Sequence, residues 1–313
     1  MTLPLASELK FGFITIMSNP EMCCSTVALA ERFNYDSIWV GDHVEFPVPI
    51  LDPLLQIAQA AGMSDKLMFG TGVYLLPMRH VVHVAKQLTS LDQLTGGRLI
   101  IGAGIGGEFP NEWAATGVPH NERGARMSEA IPVLKQLLSG ATCSNDGTFY
   151  PFENVTMKPA CTTAVGPPIW IGGRSAPALA RAGRMADGWF SYVVTPEMYR
   201  DALQEIAISA ENSGRTIDRF GSGHLLFMRV DDSYEQALEH ATSHLSTRYA
   251  MDFREAAKKY AALGSPADVA ERINEYAAAG CRHFVLDLTG PFHDRDEQIE
   301  RFAREVKPLI VGI

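Results

Sequence analysis

No stretch of this 313-residue chain approaches the roughly 18–20 consecutive apolar residues that a membrane-spanning helix needs. Basic residues are outnumbered, 27 against 36 acidic ones, and no Lys/Arg-rich run occurs. The charge pattern therefore lacks the electrostatic footprint of a nucleic-acid-binding surface. Cysteines number only five, Cys23, Cys24, Cys143, Cys161 and Cys281, and none forms a C-x-x-C pair. An odd, scattered set speaks against a disulfide framework and against zinc, and leads to the expectation of reduced, structural thiols in a cytoplasmic protein. The opening MTLPLASELKFGF has no basic segment followed by an apolar one, so no secretory leader is expected. Linkers and low-complexity segments are missing, and no G-x-G-x-x-G follows the first apolar run, which leaves a doubly wound dinucleotide-binding sheet without support.

Present instead is an alternation of short β-rich runs with helical patterns, almost from end to end. Hydrophobic residues make up 46% and charged residues 20%, enough for a large buried core in one domain spanning 1–313. Eight strands are expected at Leu9–Ile16, Asp36–His43, Leu67–Tyr74, Arg98–Gly106, Pro167–Gly173, Gly188–Val194, Phe220–Val230 and His283–Gly290. Helices are expected between them, several with clear start signals such as Thr195-Pro196-Glu197 and Ser265-Pro266-Ala267-Asp268. Eight strands each followed by helix predict an α/β fold, a (β/α)₈ TIM barrel. Two departures from the plain repeat are expected. Asn145-Asp146-Gly147 marks a hairpin outside the barrel within Ala141–Pro159. A helical stretch from Ser233 to about Leu263 is longer than one crossover needs, so it reads as a helical insertion after strand 7.

In such barrels the active site sits at the carboxyl ends of the strands, and those ends carry the candidate residues. Strand 2 ends in Gly41-Asp42-His43. A carboxylate beside an imidazole can orient it for proton transfer; a satisfied loop histidine is the competing reading. Strand 3 carries Gly70, Gly72 and then Val73, which suits a flat ring against the backbone or tight packing of a neighbouring strand. Strand 4 runs into Gly102, Gly104, Gly106 and Gly107, which open the barrel mouth, and then Glu108 and Glu112, which are expected at solvent or in a local salt bridge. Strand 5 ends in Gly172-Gly173-Arg174-Ser175 at the start of a helix. Glycines that admit a ligand to the backbone, unpaired helix N–H groups and a cation together suit a phosphate. His224 could face the barrel interior. His240 and His244 lie four apart on a helix, but no third ligand accompanies them, so no metal is expected.

The runs GTGVYLLPMRHVVHVAKQLTSLDQLTGGRLIIGAGIGGEFPNEWAATGVPHNERGARMSEAI and IWIGGRSAPALARAGRMADGWF resemble the bacterial luciferase-like monooxygenases, across roughly Trp39 to Phe190 with a compatible C-terminal end. The resemblance implies a flavin or deazaflavin, FMN or coenzyme F420, at the barrel mouth. It implies that Asp42 and His43 lie beside the ring, that a non-proline cis peptide joins Gly72 and Val73, and that Gly172, Gly173, Arg174 and Ser175 hold the cofactor phosphate, with Gly104 nearby. It also implies a homodimer. Two differences bear on chemistry. Strand 2 of the light-emitting chains ends in two histidines where this chain has Asp42-His43, and Ile105 or a neighbouring glycine stands where they carry a reactive cysteine. Light emission with a long aldehyde is not expected.

The leading expectation is a flavin-dependent monooxygenase that oxidises a small organic substrate with reduced FMN and dioxygen, the reduced cofactor being supplied in some systems by a separate reductase. His43 is its acid/base, with Asp42 setting the tautomer. Hydride transfer with F420 in the same pocket is the alternative, and a flavin-binding protein without turnover is the rival of another class. A metal-dependent barrel hydrolase would need strand-end ligands that are not found. Phe46, Phe109 and Trp113 suit either an apolar substrate pocket or core packing.

Overall fold

The computed structural model describes residues 2–46, 48–107 and 109–311. Strands are β1 Lys10–Ile14, β2 Ser37–Val40, β3 Met68–Leu75, β4 Leu99–Gly104, β5 Cys143–Asn145, β6 Phe152–Val155, β7 Ile169–Gly172, β8 Gly188–Tyr192, β9 Gly221–Val230, β10 Ala262–Gly264 and β11 His283–Leu288. Helices are α1 Pro20–Arg32, α2 Pro53–Ala61, α3 Val81–Thr95, α4 Pro110–Thr116, α5 Arg123–Leu138, α6 Ala176–Met185, α7 Pro196–Asn212, α8 Tyr234–Tyr249, α9 Arg254–Tyr260, α10 Pro266–Ala278 and α11 Arg295–Arg301. Several begin where the sequence supplies both a side-chain acceptor and a first-turn proline. Asp52 caps α2, Thr195 caps α7, and Ser265 and Asp268 form a reciprocal capping box on α10.

Strands β1, β2, β3, β4, β7, β8, β9 and β11 pair in parallel in that order, and β11 closes back onto β1. This is the expected eight-stranded barrel. The hairpin also forms, with β5 antiparallel to β6, but its connection is longer than a two-residue Asp-Gly turn. Glu129 of α5 organises that connection by accepting the N–H groups of Phe149 and Tyr150 and the amide of Asn145. The stretch after β9 is not one helix. Ala250 adopts a left-handed φ of 52°, which ends α8; α9 follows, and then β10 pairs with Met228–Val230.

Alternation along the strands divides the core into two layers. Phe11, Phe13, Ile38, Val40, Phe69, Ile101, Ile169 and Leu226 belong to the layer between barrel and helices. Trp39, Ile100, Trp170, Phe190, Leu225, Phe227 and Val285 fill the interior. Trp39 stacks on Phe190 at 4.8 Å between centroids and 3° between planes. These large rings fit because glycine stands opposite them. A Cβ at Gly70 would lie 2.4 Å from the Trp39 ring, and one at Gly221 would lie 2.3 Å from Trp170. The Trp39 indole N–H donates to Ser37 Oγ at 2.8 Å, and Ser37 Oγ lies 2.7 Å from His283 Nε2, so the polar atoms sealed in with the rings are paired. Burial holds the His283 imidazole neutral, pushed down to about 3.

Candidate active site

The two residues that end strand 2 turn to different partners. Asp42 is 3% exposed. Its Oδ2 accepts the Leu75 N–H at 2.7 Å and one Arg79 guanidinium nitrogen at 2.6 Å, while Oδ1 accepts the other at 2.8 Å. Arg79 in turn lies over the Tyr74 ring, 4.3 Å from its centroid. Asp42 thus ties the end of β2 to the end of β3, and its expected role of setting the His43 tautomer is corrected: both carboxylate oxygens are bound to Arg79.

His43 finds its carboxylate elsewhere. Its Nδ1 lies 3.2 Å and 3.3 Å from the two oxygens of Glu112, on α4. Glu112 is 1% exposed, and its Oε1 also accepts the N–H of Val44 at 2.7 Å and of Glu45 at 3.3 Å. Expected at solvent or in a local salt bridge, it is buried, pairs with His43 and anchors the β2 loop. Phe46 stacks flat on the imidazole at 4.0 Å and 7°, and Phe109 meets it edge-on at 5.2 Å. His43 remains 22% exposed on its side chain, so the ring is held on one nitrogen and packed by aromatics yet still reached by solvent. Glu108 lies outside the described residues.

The peptide bond between Gly72 and Val73 is cis, at the position the family resemblance implies. The Val73 side chain explains most of the glycines around it. A Cβ would lie 2.2 Å from Val73 Cγ2 at Gly104 and 2.9 Å from Val73 Cγ1 at Gly172, while at Gly102 it would lie 2.1 Å from the Thr71 carbonyl. The expectation that Gly102 and Gly104 open the mouth, and that Gly172 admits a ligand, is therefore corrected: these three serve close packing against β3. Gly106 and Gly107 do adopt positive φ, 58° and 127°, and turn the loop between β4 and α4.

After β7, Gly173 has φ 106°, and its carbonyl accepts the Trp189 indole N–H at 2.7 Å. Arg174 and Ser175 follow in the open, with the Arg174 guanidinium 5.6 Å from the Tyr192 ring centroid. Ser175 occupies the N-cap of α6 in extended conformation, but its hydroxyl makes no capping bond. A free hydroxyl, an exposed cation and the positive end of a ten-residue helix fit an anionic group.

Other candidates belong to the framework. His224 does not face the interior; it lies among the helices, with Nδ1 2.8 Å from Ser191 Oγ and its ring stacked on Tyr276 at 4.5 Å. Burial pushes it down to about 3. His240 pairs with Asp231, whereas His244 Nδ1 lies 2.5 Å from the Gly290 carbonyl and its Nε2 2.7 Å from Arg248. No group of three or more His, Cys, Asp and Glu suited to a metal occurs among the described residues. Arg248 of α8 binds Asp287 of β11 through two contacts of 2.5 and 3.1 Å, which fastens the insertion to the barrel rim. Trp113 packs with Leu75 and Met78 as core. Among the described residues no helix is long and apolar enough to cross a membrane.

A closed parallel barrel with an imidazole and a helix start at the carboxyl ends of its strands defines the class, an α/β barrel with the layout of an enzyme. The luciferase-like monooxygenase family model matches residues 21–283, and the chain belongs to that family of oxidoreductases. A 4-hydroxyprotoasukamycin monooxygenase of Streptomyces nodosus subsp. asukaensis is 31% identical over 218 residues, 67% of this chain. That match spans only 58% of the relative's length. An F420-dependent glucose-6-phosphate dehydrogenase of Microbacterium testaceum is 25% identical over 354 aligned positions, covering 99% of this chain and 98% of its own. In three dimensions an F420-dependent secondary alcohol dehydrogenase, solved with an F420-acetone adduct, superposes with a TM-score of 0.83 at 19% identity, over 97% of this chain and 99% of that one.

Proposed function

We propose that this chain, as one domain over 1–313, is a flavin-dependent oxidoreductase that oxygenates a small organic substrate with reduced FMN and dioxygen. The observation that carries the reading is the His43 imidazole, fixed by Glu112 and Phe46 yet reached by solvent in a luciferase-like barrel. The cofactor, when bound, supplies the redox chemistry, and the protein supplies orientation and proton handling. Gly173, Arg174 and Ser175 would hold its phosphate, and the segment Gly72–Val73 with Gly104 and Gly172 behind it would form a firm wall at its ring. His43 takes or gives the proton at the reacting oxygen of the substrate. Phe46, Phe109 and the loop around them limit water at that point.

Hydride transfer with coenzyme F420 in the same pocket is the second reading. The relative that aligns along nearly the whole chain, and is named for that coenzyme, favours it. One titration separates the two: the purified protein is mixed with FMN and with F420, and tight uptake of only one assigns the cofactor. Failure to take up either overturns both readings. A homodimer, a separate reductase in the FMN case and a cytoplasmic setting complete the proposal.

A further inference from the structure

We infer that Glu112 is a positioning residue that fixes His43 in a single tautomer, with the proton on Nδ1 and the lone pair on Nε2, so that Nε2 is the nitrogen that meets the substrate. The inference deepens the proposed role of His43 and rests on it for its catalytic meaning, but the tautomer itself follows from geometry alone.

Glu112 Oε1 already accepts two main-chain N–H groups, those of Val44 and Glu45, and a group so loaded with donors presents itself to a third neighbour as an acceptor. That neighbour is His43 Nδ1, at 3.2 and 3.3 Å from the two oxygens. A carboxylate can only accept, so Nδ1 must carry the hydrogen. The other acid at hand, Asp42, is engaged by Leu75 and Arg79 instead. Phe46 stacked on one face and Phe109 across the edge pack the ring and supply no hydrogen-bonding side-chain atom. The carboxylate is buried while the imidazole is part exposed, which is the arrangement of an orienting acid behind an acid/base histidine.

Glu112→Gln isolates this role from scaffolding. The side-chain carbonyl of the substituted residue still accepts the Val44 and Glu45 N–H groups, so the loop keeps its anchor, but Nδ1, 3.2 Å from that oxygen and 3.3 Å from the other, then meets one neutral carbonyl and one N–H₂ donor in place of two carboxylate acceptors. The test is ¹⁵N NMR of the histidine-labelled, cofactor-free protein well above the usual histidine titration range, with the His43 signals assigned by their loss in His43→Gln. The expected result is a wild-type His43 predominantly protonated at Nδ1, and a larger Nε2–H fraction in Glu112→Gln. A wild-type His43 protonated at Nε2 overturns the inference, even if Glu112→Gln fails to fold. An unchanged tautomer in a folded Glu112→Gln overturns it too. Since no cofactor enters the measurement, a protein that binds neither coenzyme sinks the functional reading and leaves this result standing, and the converse also holds.

Discussion

Arg79 clasps Asp42 through both terminal guanidinium nitrogens, at 2.6 and 2.8 Å, across 37 residues of sequence. The pair joins the ends of two adjacent strands under the loop that carries His43. Breaking the pair leaves the part-buried Arg79 without its main partner. Asp42→Ala, which also orphans the Leu75 N–H, is expected to cost about 2–3 kcal/mol of stability, read from urea unfolding, since Arg79 is part exposed and keeps Asp52 at 3.9 Å. Arg79→Lys keeps the charge and loses the two-point grip, so a smaller loss is expected. Unchanged unfolding midpoints in both variants would show the clasp to be idle.

Removing the imidazole should separate catalysis from binding. His43→Ala is expected to lower turnover by roughly 10²–10⁴-fold while cofactor affinity stays within a few-fold. Stopped-flow kinetics with whichever coenzyme binds, alongside a fluorescence titration, reads both. Full activity in His43→Ala would remove the residue from the mechanism and favour an inert flavin carrier.

Gly104 has no room for a methyl group because Val73 occupies it, 2.2 Å from the would-be Cβ. Gly104→Ala is expected to destabilise the fold by about 1–3 kcal/mol through overpacking. Val73→Ala should relieve much of that cost when combined with it, since the two substitutions share one space. Strict additivity of the two changes in thermal unfolding would contradict the packing described.

Arg174 and Ser175 are exposed, so their replacement should spare stability. Arg174→Gln and Ser175→Ala are each expected to weaken cofactor binding by about tenfold, or roughly 1.4 kcal/mol. The Arg174 effect should shrink as salt is raised, because an exposed charge is screened. Wild-type affinity in both variants would move the phosphate away from the start of α6.

Acid should unfold this protein partly through its two buried imidazoles. His224 and His283 are each pushed down to about 3 by burial, below the roughly 6.5 of an unfolded histidine. The unfolded chain therefore binds more protons between those limits, so stability is full above about pH 6.5 and falls as pH drops toward 3. Each histidine contributes a slope approaching 1.4 kcal/mol per pH unit within that window. His224→Gln should flatten the acid limb of the stability curve by about that slope, measured by urea unfolding at a series of pH values. An unaltered limb would mean that His224 is reached by water before the chain unfolds.

Eight strand positions were legible because apolar β-rich runs and capped helix starts repeat with a fixed rhythm, and both signals are local. The split of the stretch after β9 was not legible, because Ala250 in a left-handed turn carries no glycine or proline to mark it. Nor were the partners of the strand-end acids. Asp42 beside His43 invited a pairing that chain geometry refuses, as successive side chains near a strand end point to different sides. Glu112 reaches His43 from 69 residues away, and Arg79 reaches Asp42 from 37, with no spacing rule to announce either. The one hint was that Glu112 sits just inside a proline-started helix after the glycine loop, where a short element can swing an acid back over the barrel.

By itself, then, the order of residues settled the barrel and its hairpin, and offered the imidazole after strand 2 and the start of α6 as candidates, because hydrophobic period, turn residues and caps act over a few neighbours at a time. Which carboxylate serves that imidazole, and which glycines yield to a side chain rather than to a ligand, was decided only when distant segments closed into a ring, since hydrogen bonds and close packing depend on distances that exist nowhere but in the folded chain.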